Sequence, residues 1–195
     1  MTKGEETRQF IVERSAPIFN TKGIAATAMS DIMAATKLSK GSLYVHFENK
    51  EDLAAVVVDY NMQLLAEKVL DTVNSHTNAK DRLFAYFDFF LDSQHSPVVG
   101  GCPMMNFGTE ADDTNELIRA KVNDVINSSQ GIIRDIIEQG IRDGVFKADW
   151  NYKEFATVAF AMLEGGILII RVAGHNAKMK IINKTLKEMV MQQLT

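Results

Sequence analysis

The stretch TAMSDIMAATKLSKGSLYVHFENKEDL, Thr27 to Leu53, decides how the chain is read. Within it Met29, Ile32 and Met33 recur three and four residues apart, the spacing of one helix face, over about residues 28–35. Thr27 stands where an N-cap is needed, because its hydroxyl can accept an amide proton that the first helical turn leaves unpaired. Thr36-Lys37-Leu38 then reads as a turn, and Ser39 caps a second, very short helix reaching about His46. So short a helix does not persist alone in water and must be held by its neighbours. Ile32, Ala35, Leu38 and Leu43 are placed to seal the pair, with Phe47 behind them. Ser39, Lys40, Ser42, Tyr44 and His46 are left as a polar, partly cationic face. Helix, three-residue turn and helix is the build of a helix-turn-helix reader, and such a face is what a major groove and its flanking phosphates require.

Upstream, Phe10, Ile11, Ile18 and Phe19 form the stripe of a helix over about Lys3 to Thr21, stopped by Gly23. Pro17 lies inside it, lacks an N–H, and predicts a kink near Glu13. Downstream, Asn49 caps a helix whose first turn carries Glu51 and Asp52, as the helix dipole favours, and which runs to about Asn74. Further helices are predicted at about 78–93, 103–111, 115–143, 151–173 and 176–193, with Asn78, Asn115 and Asn151 as caps and a glycine-containing loop from Pro97 to Pro103. With three prolines, 12 glycines and no stretch of strand alternation, the chain is predicted to be all-α. The expected organisation is an N-terminal three-helix domain over residues 1–48 and a larger helical domain over 49–195, with no flexible linker between them.

At 195 residues, 46% hydrophobic and 24% charged, the chain is long and apolar enough to bury a core unaided. Its single cysteine, Cys102, excludes an internal disulfide and a several-cysteine zinc site, and favours a reducing, cytoplasmic setting. The N-terminal MTKGEETRQF lacks the basic start and apolar run of a secretory signal. Phe155 to Ala173 approaches membrane-spanning length, but Glu164, Gly165, Gly166 and Arg171 interrupt it, so a buried packing helix is expected and no membrane partner. Charge is unevenly divided: residues 1–50 carry seven Lys/Arg and five Asp/Glu, a net +2, while the rest carry 14 and 20, a net −6. That is the sign expected of a DNA-binding head on an acidic body. Phosphate-cradling glycine loops, H-E-x-x-H pairs and serine elbows are absent, and the histidines at 46, 76, 95 and 175 are scattered, so neither an enzyme, a cofactor nor a metal is expected.

The segment Thr27 to Leu53 resembles the DNA-binding signature of the tetracycline-repressor (TetR) family. Ser39-Lys40-Gly41-Ser42-Leu43-Tyr44, Phe47 and Asn49-Lys50-Glu51 fall in that family's spacing, and the likeness extends back through Phe19 and Gly23. The resemblance implies that Lys40, Gly41, Ser42, Tyr44 and His46 face DNA, with Ser39 beginning the reading helix. It also implies that Thr27 and Lys50 touch phosphates at the starts of their helices. It further implies a body of about six more helices that holds a ligand and dimerises.

Beyond the head, Phe84, Phe87, Phe90 and Leu91 recur at helical spacing while Tyr86 and Phe89 point elsewhere, so that helix is apolar on more than one side. Tyr60, Phe84, Phe87, Met104 and Phe107 are therefore candidates for an effector pocket, with Met105 and Trp150 on the same terms; an ordinary core would use the same residues. Cys102 precedes Pro103 and is the expected N-cap of the 103–111 helix, where a thiolate would be stabilised, or where the residue would serve as a small hydrophobe. GGCPMMNFGTEADD resembles, more loosely, the corresponding stretch of family members that respond to electrophiles or oxidants through a cysteine. Gly165 and Gly166 each cost a helix about 1 kcal/mol relative to alanine, so close approach of another helix is expected. With Ala161, Ile169, Ile182, Leu186 and Met189 they are candidates for a four-helix interface in a twofold dimer, packing within one chain being the alternative.

The reading is a homodimeric one-component regulator, a repressor, that binds near-palindromic double-stranded operator DNA and is released by a small-molecule effector or by modification of Cys102. The alternative is a helical small-molecule-binding or interaction protein whose head has lost DNA affinity.

Overall fold

The helices begin and end where local chemistry allows. The computed structural model describes residues 1–91 and 97–195, and nine helices follow one another among them. The first, α1 (Lys3–Lys22), opens on a capping box: Glu5 N–H donates to Thr2 Oγ1 at 3.3 Å and Thr2 N–H donates to Glu5 Oε2 at 2.7 Å. It continues through Pro17 and ends at Gly23, whose φ of +85° is a conformation that side chains with a Cβ avoid. Next come α2 (Met29–Thr36), α3 (Lys40–Tyr44), α4 (Lys50–Asn74) and α5 (Ala79–Phe89). They are followed by α6 (Pro103–Ala111), α7 (Glu116–Arg142), α8 (Tyr152–Ala173) and α9 (Ala177–Met191).

Three of the four expected asparagine caps are in place. Asn49 Oδ1 accepts Asp52 N–H at 2.8 Å, Asn78 Oδ1 accepts Lys80 N–H at 2.9 Å, and Asn115 Oδ1 accepts Ile118 N–H at 3.0 Å. Asn151 precedes α8 without a side-chain cap bond. The fifth helix ends before residue 93, because Phe90 and Leu91 N–H bond back only three residues, to Phe87 and Asp88 carbonyls, tightening the last turn. Residues 92 and 93, expected to be helical, and His95 lie outside the described residues. Among the described residues the extended pairing is a single bridge between Phe146 and Leu194.

The chain divides into two compact units. The first is Met1–Leu65 with Pro97–Val125. The unit that holds the helix-turn-helix is thus larger than residues 1–48. Ile11, Phe19, Ile32, Leu43, Leu53 and Phe107 are among its fully buried side chains. Asn61 of α4 is buried as well and donates through Nδ2 to the carbonyl of Ala16 at 3.2 Å, so the polar group enters the core with its partner.

The second unit is Ala66–Ser96 with Ile126–Thr195. Phe87 is fully buried there, and a run of ring contacts leads from it through Phe155 and Trp150 to Phe146 at centroid distances of 6.4, 4.9 and 5.1 Å. Gly140 of α7 is required by close approach, since a Cβ there would strike the Phe146 ring. Between α5 and α9, Asp88 accepts from Lys187 Nζ at 2.6 and 2.7 Å and from Asn183 Nδ2 at 3.0 Å.

The apolar helix α8 packs against α9, and an 18-residue window of it reaches a mean hydropathy of 1.8 with 39% of that window buried. The expectation of a buried packing helix holds for one face: Phe155, Ala159, Leu163, Gly166, Ile167 and Ile170 are inside. On the other, Val158, Ala161, Leu168 and Val172 are exposed, and a Cβ on Gly165 would meet nothing within 4 Å beyond its chain neighbours and its own helix backbone. These five positions follow one another three and four residues apart, a single continuous stripe. Two of the residues expected at a dimer interface therefore belong to the chain's own packing. A Cβ on Gly166 would lie 2.8 Å from Met179 Sδ of α9, and Leu186 is fully buried.

Candidate nucleic-acid interface

The short helix α3 is held as its length demands. Leu43 is fully buried, and Ser39 caps the helix by accepting Ser42 N–H at 3.2 Å through Oγ. Phe47 is buried with the Arg8 guanidinium stacked 4.6 Å from its ring centroid. Lys40, Gly41, Ser42 and Tyr44 are then left on one exposed surface, with His46 half-buried at its edge. Lys40 Nζ lies 5.8 Å from the Tyr44 ring centroid, so the cation and the phenol share that surface.

Two of the expected phosphate contacts have other partners. Thr27 is 1% exposed, and its hydroxyl donates to the Gly23 carbonyl at 2.6 Å. The N-cap of α2 is Ala28, one residue later, which has no hydroxyl to offer. Asp31 compensates by accepting Ala28 N–H at 3.0 Å, the half of a capping box that needs no cap side chain. Lys50 donates from Nζ to the carbonyls of Ile24 at 2.9 Å and Ala25 at 3.3 Å, which ties its ammonium to the loop between α1 and α2.

The start of α2 is further fixed by an ion pair, Lys22 Nζ to Asp31 Oδ1 at 2.8 Å. The hydrogen bond from Lys22, followed by that from Ala28 N–H, holds the Asp31 carboxyl below the ordinary carboxylate value. A depressed carboxylate contributes to folding above the ordinary value, and that contribution disappears as the pH falls through the lowered one.

Two exposed residues of this surface carry weak signals in the sequence. Lys37 closes α2 in the left-handed region, φ 59° and ψ 19°, with its N–H on the Met33 carbonyl at 2.9 Å. A glycine at that position would have marked the turn; a lysine there disguises it. Val45, just after α3, is 79% exposed, and nothing in apolar periodicity separates an exposed valine from a core one.

The other side of the head meets α6. Cys102 is the N-cap of α6, as expected, with Pro103 in its first turn, but the thiol makes no cap bond and the residue is 6% exposed. One turn on, Asn106 Nδ2 donates to Asn20 O at 2.9 Å and to Gly100 O at 3.0 Å, while Asn20 Nδ2 donates to the carbonyls of Val99 at 2.8 Å and Gly101 at 3.1 Å. A further turn on, Glu110 accepts Ile24 N–H at 2.7 Å and Ala25 N–H at 2.6 Å. Asn20, Asn106 and Glu110 are absent from any apolar pattern, which is why spacing did not single them out.

The effector candidates separate. Tyr60, Cys102, Met104 and Phe107 belong to the first unit, where Met104 and Phe107 are buried and Tyr60 is half-buried. Phe84 and Phe87 belong to the second. Phe87 is core, whereas Phe84 is half-buried beneath two ammonium groups, Lys187 Nζ at 5.1 Å and Lys80 Nζ at 5.9 Å from its ring centroid. An open cleft of about 480 Å³ in the second unit is lined by Lys147, Trp150, Glu154, Val158 and Met189 among others, and by none of the pocket candidates except Trp150. Among the described residues no three His, Cys, Asp or Glu side chains converge as metal ligands.

Comparison with known proteins matches both parts of the chain. The family model "Bacterial regulatory proteins, tetR family" covers residues 11–57, and "Tetracyclin repressor-like, C-terminal domain" covers residues 79–186. A solved TetR-family transcriptional regulator from Cytophaga hutchinsonii has 35% sequence identity and a TM-score of 0.95 over 100% of this chain and 98% of its own. The transcriptional repressor DhaR of Mycobacterium sp. (strain GP1) is 25% identical over 85% of this chain and 82% of its own length. Reduced NemR of Escherichia coli has a TM-score of 0.83 at 18% identity, covering 94% of this chain and 96% of its own, a likeness of fold alone.

Proposed function

The chain belongs to the tetracycline-repressor family of transcriptional regulators, and from that premise we infer that it is a cytoplasmic one-component repressor reading a near-palindromic operator as a homodimer. The observation that carries this reading is the exposed surface of Lys40, Gly41, Ser42 and Tyr44 on a short helix locked by buried Leu43. Two such helices related by a twofold axis enter successive major grooves. The exposed apolar stripe of α8, from Val158 to Val172, is the surface on which two copies meet, and Ile169, Ile182 and Met189 border it or lie on the neighbouring α9. Residues 1–48 supply the DNA contacts and residues 49–195 the effector site and dimerisation.

A small-molecule effector taken up by the helical body weakens DNA binding by favouring a conformation that fits the operator poorly. Direct adduction at Cys102 is the less favoured route, because the residue is 6% exposed and gives an electrophile little access. His46 and Ser39 flank the reading surface, and Lys50 and Thr27 serve it by holding the loop before α2.

The test is selection of bound fragments from a random duplex library, followed by fluorescence anisotropy of the selected sequence at two salt concentrations. An inverted repeat bound with salt-dependent affinity supports the reading. No enrichment by folded, dimeric protein favours the alternative, a helical binding protein whose head does not read DNA.

Lys37 adds a phosphate contact to this surface. Holding a non-glycine residue in the left-handed region costs about 1–2 kcal/mol, and the exposed ammonium beside the reading helix is what the lysine supplies in return. Glycine relieves that strain but loses more conformational freedom on folding, which offsets about 0.5–1 kcal/mol of the gain, so Lys37→Gly is expected to raise the melting temperature by roughly 1–4 °C. It should also weaken operator binding and lower the slope of log affinity against log salt by about two, one phosphate per half-site. An unchanged slope would show that Lys37 faces solvent only.

A further inference from the structure

The two residues that lead from α1 toward α2, Ile24 and Ala25, are gripped from both sides. Glu110, in the last turn of α6, takes their donors: Ile24 N–H at 2.7 Å on Oε2 and Ala25 N–H at 2.6 Å on Oε1. Lys50, the first residue of α4, takes the carbonyls of the same two residues. Gly23 makes room for this arrangement, since a Cβ there would lie 2.9 Å from Glu110 Oε2. Hydrogen bonds from backbone amides to a carboxylate are short and about twice as strong as neutral ones, and two on one carboxylate also fix direction. Asn106, one turn earlier on α6, holds the last turn of α1 through Asn20 O. The segment from Asn20 to Ala25 is thereby bound to a single helix at both ends.

We propose that Glu110 is a positioning residue for operator recognition. It makes no DNA contact and acts through residues 24 and 25, which set where α2 begins and so, through buried Ile32 and Leu43, the angle at which α3 is presented. A reading helix held at one angle accepts one half-site separation in a twofold complex, whereas a loosened one tolerates several. This role rests on the operator-reading function inferred above.

Glu110→Gln keeps the size of the side chain but turns one acceptor into a donor that faces an N–H. Affinity is measured by anisotropy for the selected operator and for versions with the spacer one base pair longer and shorter, with melting temperature recorded for each protein. The expected result is a folded variant that binds the selected operator about tenfold more weakly and discriminates less between spacers, with an unchanged salt slope. Gly23→Ala, which pushes the carboxylate from the other side, should give the same pattern, and the double variant should be no worse than either single one. Wild-type affinity in folded Glu110→Gln overturns the proposal. Weakened binding with spacer discrimination intact also overturns it, since that is what general destabilisation gives. Failure of the wild-type protein to select any operator removes the function itself and this role with it, an outcome separate from the other two.

Discussion

Glutamates at positions 168 and 172 are expected to leave a folded protein that no longer dimerises and binds its operator about 10²- to 10⁴-fold more weakly, the range over which linking two binding modules raises avidity. Leu168 is 51% exposed and Val172 82% exposed, so neither side chain supports its own chain's core. Glutamate is also a good helix former, and helicity and melting temperature should change little. Both residues sit on the stripe of Val158, Ala161, Gly165, Leu168 and Val172, an apolar surface of the kind that monomeric proteins avoid leaving in water. In a twofold dimer every substitution occurs twice, so four carboxylates would be buried without partners, each desolvated at a cost of several kcal/mol. Size-exclusion chromatography with light scattering reads the mass, and anisotropy on the selected operator reads the affinity. A Leu168→Glu, Val172→Glu variant that remains a dimer would place the interface elsewhere.

The second large effect is expected from Lys40→Ala with Tyr44→Ala. Both side chains lie on the exposed surface of α3 and share it at 5.8 Å, while Leu43 between them holds the helix from beneath and is untouched. The variant should therefore fold as the wild type does. A good base-edge contact discriminates by about 1–3 kcal/mol, and the twofold axis doubles each loss, so specific affinity should fall at least a hundredfold. Non-specific binding falls less, because the remaining phosphate contacts are kept, and the salt slope drops by about two where Lys40 had also touched a phosphate. A folded double variant that binds the selected operator as tightly as the wild type would remove α3 from the role of reader.

How much of this was legible in the chain differs from element to element. The helix from 103 to 111 was readable to the residue, because Cys102-Pro103 marks its start and apolar spacing does the rest. Ser39 was readable as a cap for the same reason: a hydroxyl, a short helix and the amides it must satisfy all lie within four residues. Thr27 misled by one position. A threonine before an apolar-periodic run has the composition of a cap, but here its hydroxyl is turned to Gly23 and Ala28 occupies the cap position, with Asp31 closing the turn.

Helix identity, order and the exposed polar surface of α3 followed from residues alone, because caps, turns and 3.6-residue periodicity are chemistry between near neighbours. Tertiary structure decided which apolar residues are core and which are surface. Gly166 and Leu186 turn inward to α9's packing while Leu168 and Val172 stay outside, although all four satisfy the same apolar pattern. It also decided the partners of Glu110, which reaches amides 86 and 85 residues earlier in the chain. An acidic residue in a polar stretch carries no periodic signal, and its backbone partners have no side-chain identity to read. Only folding, by bringing α6 against the end of α1, turns that carboxylate from a solvated charge into the acceptor that holds the reading head.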